Sequence, residues 1–335
     1  MERIKEPRVK LCDEKGNIRF KEGTWFKDSN IECNLSKRHI FRRKKWNYWT
    51  INNDRYFFTI AITDLDYASM IFSYIIDIEE NKIMEKSFVL PLSYGVNLKN
   101  SIEEDLSYNS RNLNINISYD NDKVNIDAFI KDFYEGDSLK ASFTIYDVNE
   151  ESLNIVVPWS HKRYAFTSKQ NALSSEGSLT FKNNSIEFLK SNSFASKDFG
   201  RGVWKRNIKW NWLTCSLRSN YDNIGINLGA HWTLESGINE NGIIINGKSY
   251  KIHEDVIFIY DREDLYKPWI IKSQDDIIDL KFYPKTIRHK NIDLNIIKSE
   301  FYQVFGYLKG KIIYEKKSID IKDSLALCEE HKAKW

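Results

Sequence analysis

The chain of 335 residues is long enough for about two domains and for a sizeable core without covalent cross-links. Hydrophobic residues make up 41% and charged residues 29%, a globular composition that excludes a wholly disordered chain. The 50 basic and 47 acidic residues leave a net charge of +3, which is too small to create a general field for nucleic acid or a membrane surface.

Short strands are predicted along most of the chain, because aromatic and β-branched residues suit a pleated, half-buried surface. After an irregular segment over residues 1–36, strands are predicted at 55–62 and 70–78. Residues 113–119 alternate apolar and polar side chains, a polar turn follows, and residues 124–130 alternate again. This pattern predicts a β-hairpin.

The same pattern continues to the C-terminus. Asn246-Gly247 follows an apolar run and predicts a second hairpin with a two-residue turn. Short helices are predicted over 160–169 and 324–334. The many short strands with close turns predict a mainly β protein, with two tandem antiparallel lipocalin-like β-barrels or β-sandwiches.

A four-residue pattern occurs twice, about half the chain apart. Lys45-Trp46-Asn47-Tyr48 recurs as Lys209-Trp210-Asn211-Trp212. Internal similarity at half-length indicates two related β-domains, which we place at residues 1–185 and 186–335. The alternative is that two aromatic-rich strand starts resemble each other by chance.

Basic residues cluster over 37–45, directly before Trp46, Tyr48 and Trp49. Basic side chains beside aromatic rings can hold a phosphate backbone and stack on bases. The near-neutral total charge favours a solvated loop or strand edge instead. We therefore expect no nucleic-acid partner.

The segment with the most candidate site residues is Asp198-Phe199-Gly200-Arg201-Gly202-Val203-Trp204, followed by Trp210 and Trp212. A carboxyl group against aromatic walls has a raised pKa, which suits a general acid, although a neighbouring Arg opposes that change. Asp198 and Arg201 are the candidate catalytic pair. The alternative is a structural ion pair that braces a bend between the domains.

Lys169 and Asn171 lie in a second polar stretch, residues 166–171. They can anchor a ligand in a polar pocket, or they can cap a connection between strands. Spacing favours the connection.

Several site classes lack their sequence patterns. The four Cys residues form no CxxC pair, and no two His residues have a zinc-site spacing, so no metal and no cofactor are predicted. The N-terminus carries charges where a signal peptide needs an apolar core, and no apolar run is long enough for a membrane span. We expect a cytoplasmic protein with reduced thiols.

Four motifs together resemble a bacterial family called domain of unknown function 2804. They are KWNYW at 45–49, FTSKQN at 166–171, DFGRGVW at 198–204 with Trp210 and Trp212, and EEHKAKW at 329–335. The resemblance extends from about residue 8 to Trp335. It implies no particular activity.

Asp198-x-Gly200 followed by Trp210-x-Trp212 is also distantly similar to a motif of two-domain lipocalin-like proteins, such as carotenoid hydratases and tocopherol cyclases. That resemblance implies tandem β-barrels, an apolar ligand and an acidic residue that protonates an alkene or epoxide. The chain departs from the hydratase pattern, with Ser196 in place of a Trp and Phe199 in place of a His or Arg. The partners that handle the proton are thus missing or displaced.

Three functions follow from these residues. The first is binding of a hydrophobic or amphipathic small molecule, such as a lipid or isoprenoid, in a β-barrel cavity. The second is a hydratase, cyclase or isomerase with Asp198 as general acid, and the third is carbohydrate binding on Trp side chains. A homodimer is left open. The candidate ligand-binding residues are Trp46, Tyr48, Trp49, Lys169, Asn171, Trp204, Trp210 and Trp212.

Overall fold

A computed structural model describes residues 9–28, 30–182, 184–219, 221–293, 297–315 and 317–335. Residues 1–8 of the predicted irregular segment lie outside these ranges. Within them the chain is almost entirely β, and one turn of 3-10 helix covers Lys37–His39. The predicted mainly β fold, with two curled antiparallel sheets, is confirmed.

The described residues form 24 strands, of which fifteen precede residue 204. They are β1 Val9–Lys10, β2 Thr24–Phe26, β3 Ile31–Glu32, β4 Arg43–Asn52, β5 Tyr56–Asp64, β6 Ala68–Asp77, β7 Lys82–Pro91, β8 Leu106–Asn109, β9 Leu113–Asp120, β10 Lys123–Tyr134, β11 Asp137–Ile145, β12 Leu153–Ser160, β13 Arg163–Phe181, β14 Asn184–Phe188 and β15 Phe194–Val203. Nine strands follow. They are β16 Asn207–Ser219, β17 Asp222–Ala230, β18 Gly242–Ile245, β19 Lys248–Lys251, β20 Val256–Ile259, β21 Trp269–Ser273, β22 Ile278–Asp293, β23 Lys298–Tyr314 and β24 Lys317–Lys334.

The two large sheets share one strand order. The first is β7-β6-β5-β4-β15-β13-β11-β10-β9-β8, with β2, β12 and β14 off this path, and the second is β19-β18-β17-β16-β24-β23-β22-β21-β20. In each sheet a first long strand lies near the middle and the next three form a meander to one edge. The chain then crosses to the other edge and returns to pair beside the first strand.

The repeated sequence pattern occupies equivalent positions in the two sheets. Lys45-Trp46-Asn47-Tyr48 lies near the start of β4, and Lys209-Trp210-Asn211-Trp212 lies near the start of β16. These strands have the same place in the strand order. The equivalence favours a duplicated β-domain over a chance resemblance.

Both predicted hairpins are present. In the first, β9 and β10 pair with Ile117 opposite Ile126. In the second, β18 and β19 are joined by Asn246 and Gly247, whose φ angles are 47° and 74°. Two successive positive φ values define the type I′ turn that Asn-Gly favours.

Both predicted helices are wrong. Residues 160–169 lie mostly in β13, and residues 324–334 lie in β24. β13 pairs with β12 and β15, and β24 pairs with β16 and β23. Because pairing on both sides satisfies the backbone and buries the side chains, tertiary structure overrides a local helix preference.

The chain passes from the first large sheet to the second between Val203 and Asn207. The predicted domain boundary lies earlier, between residues 185 and 186. β14 and β15 follow that division and still pair within the first sheet, with β13 and β4. The separation of the chain into two folding units stays a prediction.

Each sheet encloses an apolar core, and a further core lies between the sheets. Trp49 and Phe58 belong to the first enclosed core, and Trp269 belongs to the second. The core between the sheets contains Tyr48 and Trp212 from the two repeated patterns. Strand alternation therefore gives β4 one face toward its own core and one face toward the other sheet.

The basic cluster is part of the folded structure rather than a free charged loop. Arg43 pairs with Asp66 at 2.7 Å, and Lys45 pairs with Asp64 at 3.0 Å. Lys44 is 1% exposed. The described ranges contain no helix with the length and apolarity that a bilayer span requires.

Candidate functional site

A cavity of about 430 Å³ lies between the two large sheets and is lined by both. Strands β4 to β7, β13 and β15 of the first sheet line one side, and β16, β22, β23 and β24 of the second sheet line the other. The volume is within the range of small-molecule sites. Both halves of the chain thus contribute to one cavity, which lies between the curled sheets rather than inside either.

Seven of the predicted site residues line this cavity. They are Trp46, Tyr48, Lys169, Asp198, Trp204, Trp210 and Trp212. Their convergence follows from β pairing, since Asp198 lies opposite both Lys169 on β13 and Tyr48 on β4.

Indole rings form the broad apolar wall of the cavity. The ring of Trp204 lies 5.2 Å from that of Trp46, 5.1 Å from that of Trp232 and 6.5 Å from that of Trp210. Trp204 is 6% exposed, and Trp46 and Trp210 are only partly exposed. These rings are largely shielded from solvent along the cavity, so they do not form the flat exposed platform that carbohydrate binding would use.

Gly200 permits the close approach of Trp46 to β15. A Cβ atom at this position would lie 2.0 Å from the Trp46 ring. Gly200, the first glycine of the DFGRG segment, is therefore needed for the Trp46 ring to pack directly against β15.

A charged cluster lies beside the aromatic wall. Lys169 Nζ is 2.7 Å from Asp198 Oδ2 and 3.5 Å from Glu240 Oε2, and it lies 4.3 Å from the centre of the Trp212 ring. Burial lowers the pKa of Lys169, but the two carboxylates outweigh burial and the net pKa is raised. Lys169 is thus held as an ammonium ion.

Glu240 is the second acid of the cluster. It is 4% exposed, and Trp232 Nε1 donates a hydrogen bond of 2.5 Å to its Oε1 atom. Burial raises the pKa of Glu240, and Lys169 opposes that change. One ammonium group therefore faces the buried Glu240 and the partly exposed Asp198.

A third acid, Glu329, lies on β24 and also faces the cavity. Gln303 Nε2 donates to its Oε1 atom at 2.7 Å, and Trp210 Nε1 donates to its Oε2 atom at 3.2 Å. Burial raises the pKa of Glu329 to about 7. This acid is therefore divided between its protonated and ionised forms near neutral pH.

Six buried polar atoms of cavity residues have no hydrogen-bond partner among the described residues. They are Tyr67 Oη, Thr167 Oγ1, Asp198 Oδ1, Trp204 Nε1, Glu240 Oε2 and His331 Nδ1. Buried polar atoms are nearly always paired, with protein, water or a ligand. Both donors and acceptors are thus available to a bound molecule, among them the Trp204 indole N–H and the Asp198 carboxylate.

Three predicted site residues do not line the cavity. Trp49 is buried in the core of the first sheet, and Asn171 donates to Thr214 Oγ1 at 2.6 Å. Arg201 is fully buried and donates to the backbone oxygens of Lys99, Trp46 and Gly200. Asp198 and Arg201 do not pair with each other, because residues three apart on a strand point to opposite faces.

Glu240 and Glu329 were not among the predicted site residues. Glu240 lies in a connection between β17 and β18, with no pattern that marks it. Glu329 belongs to the C-terminal motif, but only its strand partners show that it faces Lys169 and Trp210. Within the described ranges, no group of three His, Cys, Asp or Glu residues is placed to hold a metal ion.

Comparison with known proteins finds one matching family model and several solved structures of similar fold. A family model described as domain of unknown function (DUF2804) matches residues 1–335. Kievitone hydratase from Nectria haematococca has a TM-score of 0.50 at 13% identity, over 85% of this chain and 88% of that chain. CghA with Sch210972 has a TM-score of 0.49 at 8% identity, over 89% of each chain. A search of curated protein sequences gives no match.

The likeness to kievitone hydratase shows a shared two-sheet fold. It does not extend to a shared reaction, because the identity is 13%.

Proposed function

The chain belongs to the family described as domain of unknown function (DUF2804), and from its site we propose that it binds an amphipathic small molecule between its two sheets. The observation that carries this proposal is a cavity of about 430 Å³ between the sheets with an indole wall and a buried charged cluster. Small-molecule sites have this composition, mostly apolar with a few convergent polar groups.

The indole wall and the polar atoms beside it are suited to different parts of one ligand. Trp46, Trp204 and Trp210 offer ring faces to an apolar body. Asp198 Oδ1 and Trp204 Nε1 offer hydrogen bonds to polar groups of the same molecule. An apolar molecule without hydrogen-bonding groups would leave these atoms unpaired, so an amphipathic ligand fits better.

Mass spectrometry of the purified protein, first under native and then under denaturing conditions, tests this proposal. We expect a small molecule that stays bound in the first spectrum and is released in the second. Its mass and fragmentation would identify the ligand class. A protein without such a species that also fails to bind apolar dyes would contradict the proposal.

A variant that narrows the cavity tests whether the ligand binds there. Ser87 is exposed on β7 and lines the cavity, so Ser87→Trp narrows it without loss of a core side chain. Ser107 is exposed on β8 and does not line it, so Ser107→Trp is the matched control. We expect Nile red fluorescence to fall for Ser87→Trp and to stay at the wild-type level for Ser107→Trp.

A second candidate function, proton-transfer catalysis of the hydratase, cyclase or isomerase type, is favoured by Glu329. A carboxyl group with a pKa of about 7 in an apolar cavity is suited to general acid catalysis at neutral pH. Asp198 is less suited to donate a proton than the sequence suggested, because its Oδ2 atom pairs with the Lys169 ammonium at 2.7 Å. Asp198 would instead accept a hydrogen bond from the substrate through Oδ1.

Glu329→Gln separates a binder from a catalyst once a ligand is known. The amide keeps the size of the side chain but cannot transfer a proton. For a catalyst we expect retained binding and loss of turnover, whereas for a binder no chemical change of the ligand occurs in either protein. Unchanged turnover in Glu329→Gln would exclude this residue as the acid.

A further inference from the structure

Lys44 is a buried cation on the cavity wall. Its side chain lines the cavity and the residue is 1% exposed. The Nζ atom lies 3.4 Å from the backbone oxygens of Arg43 and Leu65 and 3.5 Å from that of Phe41. The rings of Tyr67 and Trp335 lie 4.8 and 5.8 Å from it. The ammonium group thus has only long hydrogen bonds and aromatic neighbours.

The other lysines of the cavity all have an acidic partner. Lys45 pairs with Asp64, Lys169 with Asp198, Lys290 with Glu85 and Lys298 with Asp293. Among the described residues, no carboxylate oxygen lies within 4 Å of Lys44 Nζ. The nearby acids are already engaged, Asp66 by Arg43 and Asp64 by Lys45.

A buried charge without an opposite charge is costly, because burial removes its hydration. Burial lowers the pKa of Lys44 to about 8, with Asp66 and Asp64 opposing that change. The side chain is therefore still mostly charged at neutral pH, and an anion at this place would offset the cost.

Lys44 lies far from the charged cluster along the same strand. On β4 it pairs with Gly202 of β15, and four residues later Tyr48 pairs with Asp198. At about 3.3 Å per strand residue, this separation is about 13 Å. Trp46 lies between the two positions, and its ring contacts Trp204. The cavity thus has two polar ends joined by an indole wall.

We propose that the ligand of this cavity is an apolar molecule that bears a carboxylate, and that the carboxylate pairs with Lys44. This inference rests on the proposed function, since it names the chemical class of the bound molecule. The apolar body lies along Trp46 and Trp204, and the opposite end of the ligand reaches Asp198 and Glu329. Lys44 selects acids over neutral molecules of the same length.

Isothermal titration calorimetry with decanoate and decanol tests this selection, because the two probes share a chain and differ in charge. We expect the wild-type protein to bind decanoate at least about tenfold more tightly than decanol, the size of one charge-assisted hydrogen bond. In Lys44→Met the preference disappears while decanol affinity is retained. Lys309→Met is the control, because it removes the same charge from an exposed lysine that does not line the cavity and leaves Lys44 in place.

Thermal unfolding of both variants accompanies the titration. Met has a similar length and no charge, so Lys44→Met is expected to fold with a Tm equal to or above that of the wild type. If Lys44→Met does not fold, Lys44→Gln takes its place.

Equal affinity of the wild type for the two probes would overturn this inference alone, as would a preference for decanoate that persists in the Lys44 variant. Binding of neither probe to the wild type would overturn the proposed function together with the inference.

Discussion

Gly229 lies so close to Glu240 that a Cβ atom on the glycine would stand 2.0 Å from the Oε1 atom of the acid. The same Oε1 atom accepts a hydrogen bond from Trp232 Nε1. The backbone N–H of Gly229 donates to Asn241 Oδ1 at 2.8 Å, which fixes the connection that carries the acid. The absence of a side chain at Gly229 is therefore a condition for the buried position of Glu240 beside Lys169.

Gly229→Ala is expected to destabilise the protein by about 1–3 kcal/mol, because an added methyl group in a packed site displaces its neighbours. Guanidinium denaturation measures this loss. In Glu240→Ala the neighbour is already gone, so the same glycine change there is expected to cost much less. Losses that simply add in the double variant would contradict a clash between these two residues.

Lys169→Met is expected to destabilise the protein by about 3–5 kcal/mol, because it leaves the buried Glu240 and the largely buried Asp198 without their cation. Adding Asp198→Asn to this variant removes one uncompensated charge and is expected to recover part of the loss in a double-mutant cycle. Lys205→Met is the control, since Lys205 pairs with the exposed Glu235 and such pairs contribute at most about 1 kcal/mol. Equal effects of the Lys169 and Lys205 changes would contradict a structural role for the cluster.

Strand alternation explains which of the predicted aromatic site residues line the cavity and which do not. Trp46 and Tyr48 are two residues apart on β4 and both line the cavity, as do Trp210 and Trp212 on β16. Trp49 has the opposite parity on β4 and lies in the enclosed core. The sequence contains this distinction, because neighbouring strand residues point to opposite faces, whereas aromatic content alone does not separate Trp49 from Trp46 and Tyr48.

Other features depend on pairings between distant segments and could not be predicted from local patterns. Residues 324–334 contain good helix formers, yet they form a strand because β16 and β23 pair with both of its edges. Likewise, Lys169 meets Glu240 only after the two sheets pack together. The fold class follows from periodicity, whereas the acids of the site follow from tertiary structure.

Glu329 is expected to make the protein less stable as the pH rises. Its pKa is raised from 4.5 to about 7 by burial, so between these values the folded state binds more protons than the unfolded state. The stability that this group contributes is present below pH 4.5 and is lost as the pH passes 7, by about 3 kcal/mol in total. This change of stability with pH is opposite to that of a salt-bridged acid, whose contribution to stability is lost as the pH falls.

Urea denaturation of the wild type and Glu329→Gln at pH 5 and pH 8 measures this dependence. We expect the free energy of unfolding to fall less between these pH values in the variant than in the wild type. Glu14→Gln, which changes an exposed acid, is the control and should follow the wild-type profile. Identical profiles for wild type and Glu329→Gln would show that Glu329 has an ordinary pKa.

His331 is expected to make the protein less stable as the pH falls. Its ring lies 4.1 Å from that of Trp210 and 4.5 Å from that of Phe301, and Ser299 Oγ lies 2.8 Å from its Nε2 atom. Burial lowers the pKa of His331 from 6.5 to about 3. Between these values the unfolded chain binds a proton that the folded protein does not, so stability falls as the pH decreases below 6.5, by about 2 kcal/mol at pH 5.

His331→Phe keeps an aromatic ring between Trp210 and Phe301 but removes the titrating group. The free energy of unfolding of this variant, measured by urea denaturation at pH 7.5 and pH 5, is expected to fall less on acidification than that of the wild type. His253→Phe changes an exposed histidine and should keep the wild-type dependence. A His331→Phe profile parallel to the wild type would mean that the ring also takes up a proton in the folded protein at pH 5. The indole wall would then surround an imidazolium ion rather than a neutral ring.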